Sequence, residues 1–321
     1  MVTVTNLSKN YGDFRAVKEI SFSIKEGEIF GFLGPNGAGK TTTINMMIGL
    51  ARPSSGSITI NDIDGVRNIK KAQSIMGIVA DESNLYDEMD GFDNLCFCGA
   101  LYGMKKKERE ERARYLLDQF NLTSAGSRPF KAYSKGMRRK LTIAAGIIHK
   151  PEILFLDEPT TGIDVESARQ IRKLLLDLKK SGTTVFITTH YIEDAQRICD
   201  RIAFIVNGNI VKVGTVPELM DSISHGHTIQ LVAGGNVDLL MGEIQESFKA
   251  YTVRIKGENT IYLTSKEKIP LFPVVQYLDS KGISVYEAKE LKPSLEDVFV
   301  KLTGIEASKL SKEKEKGGKP K

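Results

Sequence analysis

The sequence predicts a two-domain fold in which a larger α/β domain precedes a small α+β domain, and three observations carry this prediction. In residues 29–50, a glycine-rich segment lies between a short apolar run that precedes it and a helical stretch that follows it. Two further apolar runs, 153–157 and 183–189, are too short for helices and are typical of buried parallel strands. The last third alternates strand and helix patterns in β-α-β-β-α-β order. A length of 321 residues also exceeds what one hydrophobic core usually serves.

The glycine-rich segment predicts a phosphate-binding loop. It reads Gly34-Pro35-Asn36-Gly37-Ala38-Gly39-Lys40-Thr41 and matches the pattern G-x-x-x-x-G-K-[ST] in full. Ile29–Leu33 predicts the buried strand before it, and Thr42–Leu50 predicts the helix after it. Backbone N–H groups at a helix start bind phosphate, Lys40 would reach the β- and γ-phosphates, and the Thr41 hydroxyl would ligate Mg²⁺. The alternative is a glycine-rich turn before an ordinary helix, and the full match in this context favours nucleotide binding.

A pair of carboxylates follows the strand predicted at Ile153–Leu156. Asp157 and Glu158 would lie at its C-terminal end, which is where ligands bind in open α/β sheets. Asp157 would hold Mg²⁺ through water, and Glu158 would orient or deprotonate the attacking water. The alternative is an acidic cap on a strand-to-helix loop, and the phosphate loop in the same chain favours catalysis.

Four further residues leave two interpretations open. His190 follows the strand predicted at 183–189. In that place it would either act on the nucleotide, by contact with the γ-phosphate or the attacking water, or have a structural role alone. Tyr11 could stack on an adenine or pack locally at the end of a strand. Ser134 is a natural N-cap of a helix that runs to about residue 148. Ser134 and Gly136 therefore offer either a second anion site or simple capping, and capping is favoured on these residues alone.

Composition narrows the class of protein. A net charge of +5 argues neither for nor against nucleic acid, and 41% apolar residues suffice for globular folding. Three cysteines without a second pair predict free thiols in a reducing compartment and no zinc site. The start of the chain lacks a basic signal-peptide region, and no apolar run approaches 18 residues. We therefore expect any membrane spans to belong to another chain.

These residues together resemble the ATP-binding subunits of ABC transporters over about residues 2–220. The resemblance rests on the phosphate loop, the strand end Asp157-Glu158-Pro159-Thr160, His190, and the stretch 133–137 just ahead of that strand. It implies a P-loop NTPase of the ABC type, with a mixed core sheet, an antiparallel β subdomain and a helical subdomain at about 85–150. It also implies ATP and Mg²⁺ as cofactors, with Thr42 among the nucleotide-binding residues.

The resemblance further implies a head-to-tail homodimer. Each ATP would lie between one subunit's phosphate loop and the other's signature stretch, so that Ser134 and Gly136 contact the opposite γ-phosphate. Tyr11 resembles the adenine-stacking aromatic and His190 the switch histidine. The loop that links the two sites would be Gly162-Ile163-Asp164.

Two positions depart from the family pattern. The family signature is Leu-Ser-Gly-Gly-Gln, and Lys135 stands here in place of its first glycine. Asp81 stands where the family's loop glutamine should follow the strand predicted at 75–80. Its carboxylate could still meet Mg²⁺ or water, although it would add negative charge near the γ-phosphate. Gln73 precedes that strand and is an unlikely substitute.

The predicted boundaries are 1–221 for the ATP-binding domain and 222–304 for a ferredoxin-like domain, with a disordered lysine-rich tail at 305–321. The segment 293–299 resembles the C-terminal extension of ABC-2-type exporter subunits. We expect this second domain to stabilise or regulate the dimer. His225-Gly226-His227 is too isolated to form a metal site.

The sequence thus predicts an ATPase that drives export through a separate ABC-2-type membrane permease, from the cytoplasmic face of the cell membrane, with no nucleic-acid partner. The alternative is a non-transport ABC ATPase that serves repair, assembly or regulation. Repair members carry long coiled-coil insertions, which are absent here. A third class, a nucleotide-binding regulator without turnover, would require that Asp81 and Lys135 have disabled catalysis.

Overall fold

A computed structural model describes residues 2–83, 85–222, 226–235, 237–291 and 293–305. The chain divides into two compact units. The first runs to Val216 and includes the described residues from Leu302 on, and the second is Pro217–Lys301. No helix in the described ranges is both long enough and apolar enough to cross a membrane.

A mixed six-stranded sheet forms the centre of the first unit. Its strands lie in the order β10-β9-β3-β8-β7-β6, and all neighbours are parallel except β9 and β10. The predicted apolar runs are its innermost strands, because a strand covered on both faces must be apolar throughout. The bounds are β3 (Ile29–Leu33), β6 (Met76–Val79), β7 (Ile153–Asp157), β8 (Thr184–Thr189), β9 (Arg201–Val206) and β10 (Asn209–Thr215).

A second, antiparallel sheet covers part of the central one. Its order is β2-β1-β4-β5, with β1 (Val2–Tyr11), β2 (Phe14–Ile24), β4 (Ser55–Ile60) and β5 (Ile63–Asp64). The two sheets share a hydrophobic core in which Phe22 stacks on Phe30, with ring centroids 5.5 Å apart. Phe186 on β8 packs on both rings.

Seven helices of this unit connect the strands or form the helical subdomain. They are α1 (Lys40–Met47), α2 (Ile69–Gln73), α3 (Gly91–Leu101), α4 (Lys106–Gln119), α5 (Lys135–Gly146), α6 (Val165–Lys180) and α7 (Ile192–Ile198). Two of these helices, α3 and α4, lie in the helical subdomain expected at about 85–150. Short 3₁₀ turns at Thr123–Ala125 and Phe130–Ala132 lead into α5, whose N-cap is Ser134 as predicted.

The second unit carries the predicted β-α-β-β-α-β order. Its elements are α8 (Val216–Asp221), β11 (His227–Ala233), α9 (Met241–Ser247), β12 (Thr252–Lys256), β13 (Thr260–Ser265), α10 (Leu271–Ser280), β14 (Val285–Leu291) and α11 (Leu295–Thr303), and a 3₁₀ turn at Asp238–Leu240 precedes α9. The antiparallel strand order β12-β13-β11-β14 is ferredoxin-like. His225 and the tail from residue 306 lie outside the described residues.

Candidate functional site

The phosphate loop connects β3 to α1, as its sequence predicts, and Gly39 shows why the pattern demands glycine. Gly39 caps the start of α1 with a φ of +103°, a backbone conformation that side chains disfavour. A Cβ on this residue would also lie 2.8 Å from the Ala16 carbonyl oxygen of β2. Both constraints hold the loop against β2. The first turn of α1 is then open for an anion.

Lys40 is a buried cation that joins the loop to the carboxylates. Its Nζ donates to the carbonyl oxygens of Gly34 at 2.7 Å and Pro35 at 3.2 Å. The same Nζ lies 3.2 Å from Glu158 Oε1, and less than a tenth of each side chain is exposed to solvent. A buried ammonium of this kind is stable only when charged or polar groups surround it.

Glu158 receives three polar contacts on a buried carboxylate. Besides Lys40, His190 Nδ1 lies 2.8 Å from Glu158 Oε2, and the Thr161 hydroxyl donates to the same oxygen at 3.0 Å. Burial alone would raise the pKa of Glu158. The hydrogen bond from His190, the charges of Lys40 and His190 and the Thr161 hydroxyl outweigh burial and lower the pKa to about 2. Glu158 is therefore an anion at every physiological pH.

The backbone of Glu158 is strained as well. Its φ is +49°, in the left-handed region, and Pro159 follows it. Such a conformation costs about 1–3 kcal/mol for a residue other than glycine and persists only where neighbours hold it. The Glu158 N–H donates to both the carbonyl oxygen and the hydroxyl of Thr188, at 3.2 and 3.1 Å.

Asp157 pairs with two hydroxyl groups. Thr188 donates its hydroxyl to Asp157 Oδ1, and the Thr41 hydroxyl from the start of α1 also bonds the Asp157 carboxylate. Burial raises the pKa of Asp157, the two hydroxyl groups lower it, and the negative charges of Glu158 and Asp81 raise it, for a net rise. This pair of oxygen donors beside the phosphate loop suits Mg²⁺, which combines one or two protein oxygens with phosphate and water oxygens. Among the described residues, no group of three or more His, Cys, Asp or Glu side chains could hold a metal alone.

Ser134 and Gly136 lie in different surroundings, at the start of α5. The Ser134 hydroxyl accepts from the Met137 N–H at 3.3 Å, and so capping is confirmed as one of its roles. Gly136 is buried against α6, where a Cβ would overlap the Ser167 hydroxyl and lie 3.2 Å from Asp164 Oδ2. The signature stretch thus packs on the loop 162–164, and the Lys135 Nζ lies beside Gly162.

Tyr11 lies at the tip of the β1–β2 hairpin, where it pairs with Phe14. About half of its surface is exposed, and the Lys9 ammonium lies 4.9 Å from its ring centroid. Both hairpin aromatics are therefore available to a flat ligand. The exposed ring is compatible with both interpretations of Tyr11, stacking on an adenine and local packing.

Asp81 follows β6 and lies 3.5 Å from the Arg139 guanidinium. The charge that the sequence analysis placed near the γ-phosphate is therefore paired with a buried cation. Gln73 lies on α2 and donates to the Ile48 carbonyl oxygen at 2.9 Å, so it is engaged elsewhere, as expected.

Sequence reasoning assigned no role to Thr188, Thr161 or Arg139. Thr188 offered no signal, because a threonine near a strand end is ordinary. Arg139 did offer one, since Gly136, Arg139 and Ile143 fall at helical spacing on the buried face of α5. An arginine on such a stripe is rarely buried without specific partners.

Comparisons with known proteins agree with this geometry. A family model described as ABC transporter matches residues 17–161. The chain is 35% identical to the linearmycin resistance ATP-binding protein LnrL of Bacillus subtilis, over 95% of this chain and 98% of the relative. It is 36% identical to the Nod factor export ATP-binding protein I of Sinorhizobium fredii (95% and 86%). It is 32% identical to the daunorubicin resistance ATP-binding protein DrrA3 of Streptomyces coeruleorubidus (94% and 96%).

Solved structures resemble about two thirds of the chain. An ATP-binding subunit of an ABC transporter aligns with a TM-score of 0.64 and 28% identity, over 69% of this chain and 92% of that one. MJ0796, a bacterial ABC transporter cassette in dimeric form, aligns with a TM-score of 0.63 and 27% identity, over 67% and 98%. A dimer of MJ0796 in a post-hydrolysis state, bound to ADP and Pi, aligns with a TM-score of 0.62.

Proposed function

The chain belongs to the ABC transporter family, and from this premise we propose how its residues divide the work of ATP hydrolysis between two copies. It is an ATP-binding subunit that hydrolyses ATP and couples the cycle to export through a separate membrane permease. The comparisons favour this function over the non-transport alternative. The proposal below concerns the site residues, the metal, the dimer and the class of permease.

In one copy, Lys40 and the backbone N–H groups of residues 34 and 36–42 bind the β- and γ-phosphates. Thr41 and Asp157 would hold Mg²⁺, which would supply positive charge to offset that of the phosphate oxygens. Glu158 accepts a hydrogen bond from the attacking water and points it at the γ-phosphate. A carboxylate with a pKa near 2 is a weak base, so orientation of the water is the larger part of its role. The Lys40–Glu158–His190 contacts are the observation that carries this assignment.

His190 holds the Glu158 carboxylate in place. Its Nδ1 is within hydrogen-bond distance of Glu158, and its ring packs on Tyr191 with the centroids 4.1 Å apart. Because the ring is buried, it has little freedom to turn away. We assign it the switch role, in which Nε2 is free to meet the γ-phosphate while Nδ1 keeps Glu158 oriented.

The second half of each site comes from the other copy. Ser134 and Gly136 lie on a helix start that packs on α6, while Lys40 and Thr41 lie on α1, so each chain carries two different anion-binding helix starts. A head-to-tail pair places each loop against the partner's Ser134. The dimeric form of the MJ0796 cassette supports this arrangement. Adenine stacking by Tyr11 belongs to the same proposal.

A mixing experiment tests the shared site. Lys40→Ala disables one loop and Ser134→Arg blocks one signature stretch, so each homodimer should be inactive. Random exchange gives half mixed dimers, each with one intact site, and turnover should recover to about a quarter of the wild-type rate. A mixture of Ser134→Ala with Lys40→Ala is the control for the size of the arginine side chain that Ser134→Arg introduces. Mixtures that stay inactive, although both variants fold and exchange subunits, would contradict a site built from two chains.

The permease is proposed to be of the ABC-2 type, with this subunit peripheral on the cytoplasmic face of the cell membrane. The names of the relatives, which concern linearmycin and daunorubicin resistance and Nod factor export, support an exporter. The exported compound is selected by the permease, and nothing in this chain's site distinguishes one such compound from another.

A further inference from the structure

Arg139 connects three functional segments through one buried side chain. It lies on the second turn of α5, five residues after Ser134, and 7% of it is exposed to solvent. Its Nη1 donates to the Ala80 carbonyl oxygen at 2.6 Å. Its Nη2 donates to the carbonyl oxygens of Asp157 at 3.2 Å and Glu158 at 2.6 Å. Asp81 Oδ1 completes the set at 3.5 Å.

The three backbone acceptors share one property: they are carbonyls at or just beyond the ends of β6 and β7. At such a point the ladder no longer supplies N–H groups, so the buried carbonyls need other donors. A planar guanidinium presents several donors in a fixed fork and can serve both strand ends at once. A lysine in its place would supply the charge without the fork.

The Glu158 carbonyl is the significant acceptor, because it belongs to the strained residue that carries the catalytic carboxylate. On one side of Glu158, Thr188 fixes the N–H. On the other side, Arg139 fixes the carbonyl at 2.6 Å. The left-handed φ of Glu158 is thus held from both ends, and the direction of its side chain depends on both contacts.

We propose that Arg139 is a positioning residue for hydrolysis, which links the Ser134 end of α5 to the Glu158 peptide and uses Asp81 as its counter-ion. The inference rests on the proposed function, in which Ser134 faces the partner's nucleotide and Glu158 orients the water. A movement of α5 on closure of the dimer is then transmitted to Glu158 through a rigid side chain and two strong hydrogen bonds.

Asp81 gains a different role from the one that the sequence suggested. At 3.5 Å from a buried guanidinium, its carboxylate offsets a charge that burial disfavours. In the family the corresponding position is a glutamine, which is neutral. The charged pair Asp81–Arg139 therefore adds no net charge near the γ-phosphate, and this explains how a carboxylate is tolerated there.

The test compares Arg139→Met and Arg139→Lys with Arg138→Met. Arg138 lies on the same turn but bonds the Lys131 carbonyl and Asp87, so its variant removes equal charge without touching the Glu158 peptide. We expect Arg139→Met to lower kcat about 10- to 100-fold, because a small misplacement of a catalytic group has an effect of this size. Its Kd for ATP should stay within about twofold, since the Lys40 loop is untouched. The kcat of Arg139→Lys should lie between those of Arg139→Met and the wild type. The kcat of Arg138→Met should match the wild type.

A structural role alone would give a different pattern. In that case kcat would follow the folded fraction, and assays well below the unfolding midpoint would give a wild-type kcat. A positioning role also predicts that the losses of kcat from Arg139→Met and Thr188→Val are less than additive, because both changes release the same Glu158 peptide. Fully additive losses, or a wild-type kcat in folded Arg139→Met, would overturn the inference while leaving the proposed function intact. Wild-type turnover by Glu158→Gln alone would instead remove the proposed function.

Asp81→Asn keeps the inference testable if Arg139→Met does not fold. Asp81 is partly exposed, and asparagine preserves its shape. We expect kcat to fall about two- to fivefold, as is typical when a partly exposed charge partner is neutralised. The Mg²⁺ concentration for half-maximal activity should be unchanged. If that concentration rises severalfold, Asp81 meets the metal and the counter-ion assignment is wrong.

Discussion

Replacement of Glu158 by glutamine removes a charge from the centre of the site, and the structure sets the size of the effect. Burial opposes the charge, yet the contacts from His190, Lys40 and Thr161 bring the pKa from its usual 4.5 to about 2. Each pKa unit corresponds to 1.36 kcal/mol, so the folded protein favours the anion by about 3 kcal/mol. Glutamine fills the same space without the charge, so Lys40 keeps the two loop carbonyls as acceptors but loses its carboxylate partner. We expect Glu158→Gln to lose about 2–3 kcal/mol of unfolding free energy at pH 7.

The pH dependence has a definite sign. Glu158 has a lower pKa in the folded protein than in the unfolded chain, so its stabilisation is complete above pH 4.5 and disappears as the pH falls towards 2. The difference in unfolding free energy between wild type and Glu158→Gln should therefore be constant above about pH 5 and should shrink below it.

Urea unfolding at pH 7 and pH 3, followed by circular dichroism without nucleotide, measures both quantities. Glu166→Gln is the matched control, because Glu166 is an exposed carboxylate on α6 and should change stability by less than about 0.5 kcal/mol. Equal stabilities of Glu158→Gln and the wild type at pH 7 would refute the charge network. In the same preparations Glu158→Gln should abolish turnover while ATP stays bound and the dimer stays closed. Wild-type turnover would remove Glu158 from the mechanism.

Two further substitutions test packing and hydrogen bonding next to the site. Gly136→Ala should lose about 1–3 kcal/mol of unfolding free energy, because its Cβ overlaps the Ser167 hydroxyl, and adding Ser167→Ala should restore part of the loss. No gain from the second change would contradict this contact. Thr188→Val should lose about 1–3 kcal/mol and should lower kcat more than ATP affinity, because the hydroxyl bonds both Asp157 and the Glu158 N–H. Thr184→Val on the same strand breaks a bond to Gly27 and should reduce stability without a matching loss of kcat.

The parts of the fold that follow from local patterns were predictable from sequence. Five apolar residues before the phosphate loop give β3, and the run ending at Asp157 gives β7, since only a strand buried on both faces is uniformly apolar over so short a length. The hairpin around Asn207-Gly208 and the order of elements after residue 226 are equally local. Bounds differ by a few residues, as with the helix after Ser134, predicted to run to about residue 148 and observed to end at Gly146.

The contacts that tune the site were not predictable, because they join elements distant in sequence. Thr188 reaches Asp157 only because β8 lies beside β7 in the sheet, an order that no local pattern contains. The positive φ of Glu158 is imposed by its surroundings, whereas its residue type favours ordinary backbone. Gly136 illustrates the same limit: the family resemblance implies a phosphate contact, and the structure adds a steric requirement against α6.

The charges around the site explain why nucleotide and metal should act together. Lys40 and Arg139 are buried cations at the site, whereas Asp157, Glu158 and Asp81 are carboxylates, so these five side chains carry one net negative charge when all are ionised. The phosphates of ATP would add to this negative charge, and a divalent cation at Thr41 and Asp157 would offset it. Lys40 would then divide its charge between the phosphates and Glu158. Because the Lys40 charge is one of the causes that lower the Glu158 pKa, that division would raise the basicity of Glu158 when a γ-phosphate is bound. The site would thus strengthen its base only when there is a phosphate to hydrolyse.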